Sequence, residues 1–174
     1  MYIAGRCSDK LEPIHHRIYC QRSGTSAHTQ TVAKYVRYYI DVQATELGNF
    51  PPVESAAKIM RQIIYSNAGR LGASMMCSGW DPYKGYQIYS VNQTGFFNEG
   101  DWAMSGSGTV FIKGYFDANY RSNMTLDEAK DFMERTIAHA AYRDCSSGGI
   151  IRMMSITEGA VERFYVPYQD FKIK

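Results

Sequence analysis

Residues 17–30 read RIYCQRSGTSAHTQ, and a change of pattern inside this stretch sets the architecture. RIYCQR, residues 17–22, is a short strand-like run that ends at Ser23-Gly24, and Thr25 stands where a helix N-cap is expected. Val32, Val36, Tyr39 and Ile40 then fall at spacings of four, three and one, which predicts one apolar face of an amphipathic helix. A strand therefore becomes a helix at Gly24.

Outward from this point, Gly48 and the break at Asn49 to Pro52 end the helix. Val53, Ala56, Ala57, Met60, Ile63 and Ile64 mark a second helical stripe. After Asn67 the period shortens: ASMMCSGWD, YQIYSV and GFF, punctuated by Asp81-Pro82, Gly85 and Gly95, predict an antiparallel meander. SGSGT at 105–109 predicts a loop leading into a helix over 110–120. Thr125-Leu126-Asp127-Glu128 matches a capping box that opens a further helix to Asp144, with Ala129, Met133, Ile137 and Ala140 on its apolar face. GIIRMMSIT and VERFYV close the chain as a hairpin around Glu158-Gly159. Segregated blocks of helices and antiparallel strands predict an α+β fold with helices packed on sheets.

The 174 residues suit a single domain able to bury a core without staples. At 45% hydrophobic and 21% charged, the composition excludes disorder and low-complexity sequence. No apolar run approaches the roughly 20 residues that cross a bilayer, and MYIAGRCSDK lacks the apolar core of a signal peptide, so neither membrane nor secretion is expected. With 19 basic and 17 acidic residues spread along the chain there is no footprint for nucleic acid. Cys7, Cys20, Cys77 and Cys145 have neither zinc-site nor disulfide-framework spacing and suggest a reducing compartment. His15, His16, His28 and His139 form no ligand pattern, and no metal or cofactor is expected. The 14 tyrosines, including Tyr35, Tyr38, Tyr39, Tyr86, Tyr89 and Tyr120, fit both core packing and subunit contacts.

The chain carries no GxSxG, P-loop, HExxH or Rossmann glycine pattern. Its stronger features are two small-residue clusters, SGSG at 105–108 and RDCSSGG at 143–149. Glycine and serine in loops commonly serve the backbone alone. Read with MYIAGRCSDKLEPIHHRIYCQRSGTSAHTQ, AMSGSGTVFIKGYFDANYR, YRDCSSGGIIRM and GAVERF, however, they resemble proteasome beta-type subunits over essentially the whole chain. CQRSG and PIHHRI look most like the caspase-like subunit, which cleaves after acidic residues.

The resemblance implies a four-layer α-β-β-α sandwich of two antiparallel sheets covered by helices, the N-terminal nucleophile hydrolase fold, as one domain over residues 1–174. It implies a threonine-type endopeptidase acting on unfolded or ubiquitin-targeted proteins. An N-terminal threonine hydroxyl, exposed by propeptide removal, attacks the peptide carbonyl, with its own amine as base. Lys10 matches the lysine beside that hydroxyl and Gly24 the turn glycine whose N–H forms the oxyanion hole. Ser107 matches the serine near the amine, and Asp144 and Ser147 match the residues that orient it. Arg22 matches the basic residue that receives acidic side chains, a role suited to a planar guanidinium. Ser8, Glu12, Ser26 and Gln30 match other pocket positions. Glu12 departs from the small polar residue usual there, and a carboxylate beside Arg22 would neutralise it and repel an acidic substrate.

Family members carry two further strands, with the threonine and an aspartate that pairs with the lysine, ahead of the position of Met1 and Tyr2. A sequence lacking its front accounts for this, and the alternative is a noncatalytic ring subunit. The implied partners are the other subunits of a seven-membered beta ring, the alpha rings that flank a stacked pair of such rings, and polypeptide substrates. The implied location is cytoplasm and nucleus.

Overall fold

The computed structural model describes residue 5 and residues 7–172. The expectations attached to Met1 and Tyr2 lie outside them. The chain gathers into two units, one of residues 10–105 and 156–160, the other of residues 1–9, 106–155 and 161–174.

In the first unit, β1 (Leu11–His15), β2 (Ile18–Gly24), β3 (Ala73–Asp81), β4 (Gly85–Val91) and β5 (Phe97–Glu99) form one antiparallel sheet in chain order. β3 alternates between buried and half-buried positions along its length, so Ala73, Met75 and Cys77 share the core face. Helices α1 (Ser26–Leu47) and α2 (Val53–Ser66) supply the rest of that core, through Val32, Val36 and Ile40 from the first and Ala56, Ala57, Met60 and Ile64 from the second. Gly48 ends α1 in the left-handed conformation at φ 60°, as the break after it predicts. Thr25 is the N-cap residue, although its side chain makes no capping bond; its N–H donates instead to the Gly72 carbonyl at 2.8 Å.

One expectation fails in this unit. Tyr39 is 49% exposed, because Val32, Val36 and Ile40 already fill the buried stripe. Tyr35, Tyr38 and Tyr86 are likewise exposed, whereas Tyr89 is fully buried and donates to Gln87 Oε1 at 2.9 Å. Strand β1 lies outside the strands read from the sequence, and it carries Pro13, which has no N–H to give to a ladder, at its centre. Among the described residues β1 is an outer strand, where the missing N–H interrupts no interior ladder, and the Pro13 carbonyl accepts from Arg37 Nε at 2.9 Å.

Asp81, at the end of β3, is 1% exposed and accepts hydrogen bonds from four donors: the backbone N–H groups of Val53, Tyr83 and Lys84, and Gln87 Nε2, at 2.7–2.9 Å. The Val53 bond sets the carboxylate at the N-terminus of α2, where negative charge is favoured. Burial alone would raise its pKa, but these donors hold it below the usual carboxylate range. A depressed native pKa contributes stability above the unfolded value of about 3.9, and that stability is lost as pH falls through the native pKa. Urea midpoints should therefore fall on acidification below about pH 4, and Asp81→Asn should flatten that dependence. An unchanged acid limb in the variant would refute this assignment.

The second unit holds α3 (Thr109–Asn119), α4 (Leu126–Arg143), and a two-stranded sheet of β6 (Ile150–Ile156) and β7 (Val161–Pro167), whose turn-side end belongs to the first unit. Phe116, Phe132 and Tyr120 form its aromatic cluster, with the Phe116 and Phe132 rings 5.2 Å apart. The capping box forms as read: Thr125 Oγ1 accepts from the Glu128 N–H, and the Glu128 carboxylate accepts from the Thr125 N–H. The predicted apolar face of α4 does not hold. Met133 and Ile137 are exposed, while Phe132, Thr136 and Ala140 are buried on one side of the helix and Glu134 and Ala138 on another. A helix covered on two sides loses the single stripe that periodicity detects. The fold is α+β, as predicted.

Candidate active site

α4 ends at Asp144, whose N–H still closes a helical bond to the Ala140 carbonyl at 2.8 Å while its own backbone is extended. Asp144 is 7% exposed, and its carboxylate takes hydroxyl donors from both small-residue clusters. Ser107 Oγ and Ser147 Oγ each donate to Asp144 Oδ2 at 2.6 Å, and the Ser146 N–H donates to Oδ1 at 3.0 Å. Short bonds to an ionised acceptor are the strong kind. Gly108 makes this approach possible: a Cβ there would lie 3.0 Å from Ala140 Cβ and 3.6 Å from Asp144 Oδ2. Three residues separated by up to 40 positions in sequence thus converge. In the same unit, Arg152 Nη2 donates to the Cys7 carbonyl at 2.8 Å and Arg163 Nη1 to Asp9 Oδ2 at 2.6 Å. One arginine from β6 and one from β7 therefore clamp the segment that holds Ser8, which is exposed.

The first unit carries the other expected residues along the start of the β1–β2 hairpin. Lys10 is exposed, and its carbonyl accepts from the Arg22 N–H at 3.0 Å. Glu12 opposes Cys20, so Arg22 lies diagonally across the ladder from it on the same face. Arg22, 9% exposed, brings Nε to 3.5 Å from Glu12 Oε2. Arg37 Nη2 approaches Glu12 Oε1 to 3.6 Å. Ser26 and Gln30 pair with each other, Gln30 Nε2 donating to Ser26 Oγ at 3.0 Å. Sequence reading missed Arg37. The spacing of 26, 30 and 37 on α1 sets all three on one helical line, and that signal was available.

Gly24 ends β2 at φ +102°, and a Cβ on it would stand 2.4 Å from the Gly72 carbonyl oxygen. Only glycine fits this close approach. Cys20 is no competing nucleophile: burial, reinforced by the Glu12 charge, pushes its thiol up to about 12.

A family model described as proteasome subunit matches residues 1–156. Among curated relatives, Proteasome subunit beta type-6 of Dictyostelium discoideum is 41% identical over 166 residues, 95% of this chain and 78% of the relative. Proteasome subunit beta type-1 of Saccharomyces cerevisiae is 38% identical over 162 residues, 93% of this chain and 75% of the relative. Proteasome subunit beta type-9 of Homo sapiens is 39% identical over 160 residues, 92% and 73% of the two chains. The chain is a proteasome beta-type subunit. Membership accords with the α+β class read from the sequence, and it assigns the chain to the core particle that degrades proteins. For a beta-type subunit, two arrangements invite chemistry: the serine–aspartate–serine cluster at the end of α4, and the Glu12–Arg22–Arg37 charge group beside Gly24.

Proposed function

We propose that this subunit is catalytic, a threonine-type endopeptidase within the assembled particle and not a purely structural ring member. The observation that supports this reading best is the pair of 2.6 Å bonds at Asp144. A serine hydroxyl has a single proton, and both Ser107 and Ser147 give theirs to the carboxylate. Their oxygens are left as acceptors, which is what an amine needs in order to be held by its N–H groups. In a purely structural role the same bonds would tie the end of α4 to its flanking loops, and the two acceptor oxygens would have no group to hold.

In the proposed mechanism the nucleophile is a threonine ahead of Met1. Its hydroxyl attacks the peptide carbonyl, its free amine takes the proton, and that proton passes to the departing amine. Water then hydrolyses the resulting ester. Ser107, Asp144 and Ser147 orient the amine. The Lys10 ammonium favours the alkoxide-like state, and the Gly24 N–H receives the developing oxyanion. Arg22, Glu12, Ser26, Gln30 and Ser8 line the pocket for the residue before the cleaved bond. No cofactor takes part. The subunit works in a seven-membered beta ring beside alpha rings, in cytoplasm and nucleus, as one beta-type domain spanning residues 1–174.

The test is the intact mass and N-terminal sequence of this chain taken from native particles. The expected result is an N-terminal threonine about twenty residues ahead of Met1, the length of one two-stranded hairpin. A native chain beginning at Met1 would overturn the catalytic reading.

A further inference from the structure

Resting on the pocket assignment above, we propose that Glu12 turns the Arg22 pocket from carboxylate recognition to carboxamide recognition, so that this subunit cleaves after glutamine or asparagine in preference to glutamate or aspartate. Arg22 is nearly buried, and the Glu12 carboxylate stands 3.5 Å from its Nε. Glu12 is not a mobile surface charge. Arg37 approaches its other oxygen to 3.6 Å and is itself fixed to strand β1 by donating to the Pro13 carbonyl. A negative charge is thereby built in where a substrate carboxylate would bind.

An entering acidic side chain meets that charge at close range, and like charges facing each other across an interface are strongly disfavoured. A basic side chain meets two guanidiniums and is disfavoured in turn. A carboxamide satisfies both neighbours: its oxygen accepts from the Arg22 guanidinium, and its NH2 donates to the Glu12 carboxylate. Isosteric acids and amides are well separated by a site of this kind, because the wrong one leaves a buried group unpaired or repelled.

The experiment uses assembled particles carrying the wild-type chain, Glu12→Thr or Glu12→Gln, and peptides that differ only in Gln, Glu or Leu before the scissile bond. kcat/KM for the Gln peptide should exceed that for the Glu peptide about tenfold or more, and Glu12→Thr should reverse the order. Glu12→Gln keeps the shape while removing the charge, and it should raise cleavage of the Glu peptide. Equilibrium binding of acetylated tetrapeptides ending in Gln or Glu is measured on the same particles. The difference between wild type and variant isolates this pocket from other subunits and reads it with or without turnover. Preferred wild-type cleavage after Glu, or binding and cleavage orders unchanged by both variants, would overturn the proposal. Loss of all cleavage at this subunit alongside a Gln-selective binding difference would instead overturn the catalytic reading and leave the pocket assignment standing.

Discussion

Particles assembled with Asp144→Ala should cleave at this subunit's site roughly 10²-fold more slowly, because misplacing a reacting group by an ångström has effects of that size. Removing the carboxylate deprives Ser107 and Ser147 of a common acceptor, so each hydroxyl becomes free to rotate and donate elsewhere. The amine proposed as general base then loses its fixed acceptors. Asp144→Asn separates position from charge: with its oxygen in the Oδ2 place both serines keep a neutral acceptor, while its NH2 then faces the Ser146 N–H, donor against donor. An intermediate loss, with particle assembly intact, is expected for it. The measurement is kcat/KM on a fluorogenic peptide selective for this subunit, with assembly checked by native electrophoresis. Full activity in Asp144→Ala would show that the cluster only ties the end of α4 to the following loop.

Gly24→Ala should give the largest loss of stability, about 3 kcal/mol or a fall in Tm of roughly 6–12 °C. Two effects add. An L side chain is strained at φ +102°, and its Cβ would stand 2.4 Å from the Gly72 carbonyl oxygen. That carbonyl cannot easily retreat, because Thr25 donates to it at 2.8 Å and the Gly72 N–H donates to His28 Nδ1 at 3.1 Å. Calorimetry of the isolated subunit tests this directly. A Tm within 2 °C of wild type would mean that the turn relaxes more readily than these bonds suggest.

Much of the fold was legible because local signals agreed with tertiary demand. ASMMCSGWD became a strand with the expected ends, Gly48 stopped α1, and the Thr125 capping box formed with both its bonds. Misreadings arose where tertiary context overrode a local rule. Leu11–His15 lies outside the strands read from the sequence, its Pro13 tolerated because β1 is an outer strand among the described residues, and Met133 and Ile137 satisfy helical periodicity yet face outward, because α4 is covered on two other sides. The serine–aspartate–serine cluster was found through resemblance, since Ser107 and Asp144 have no periodic relation in sequence. Arg37 was missed because an arginine on an amphipathic helix reads as solvated charge until a carboxylate is seen opposite it.

The division of the chain between its units bears on synthesis. Residues 10–105 supply nearly all of the first unit, whereas the second is assembled from residues 1–9, 106–155 and 161–174. As the chain leaves the ribosome, the first sheet and its helices have almost all their material by residue 105. Cys7 and Asp9 must wait for Arg152 and Arg163, more than 140 positions later, before their clamp can close. The segment of Cys7 and Asp9 is thus made long before it is secured. A segment preceding it would stay accessible to chaperones and processing enzymes until translation is nearly complete.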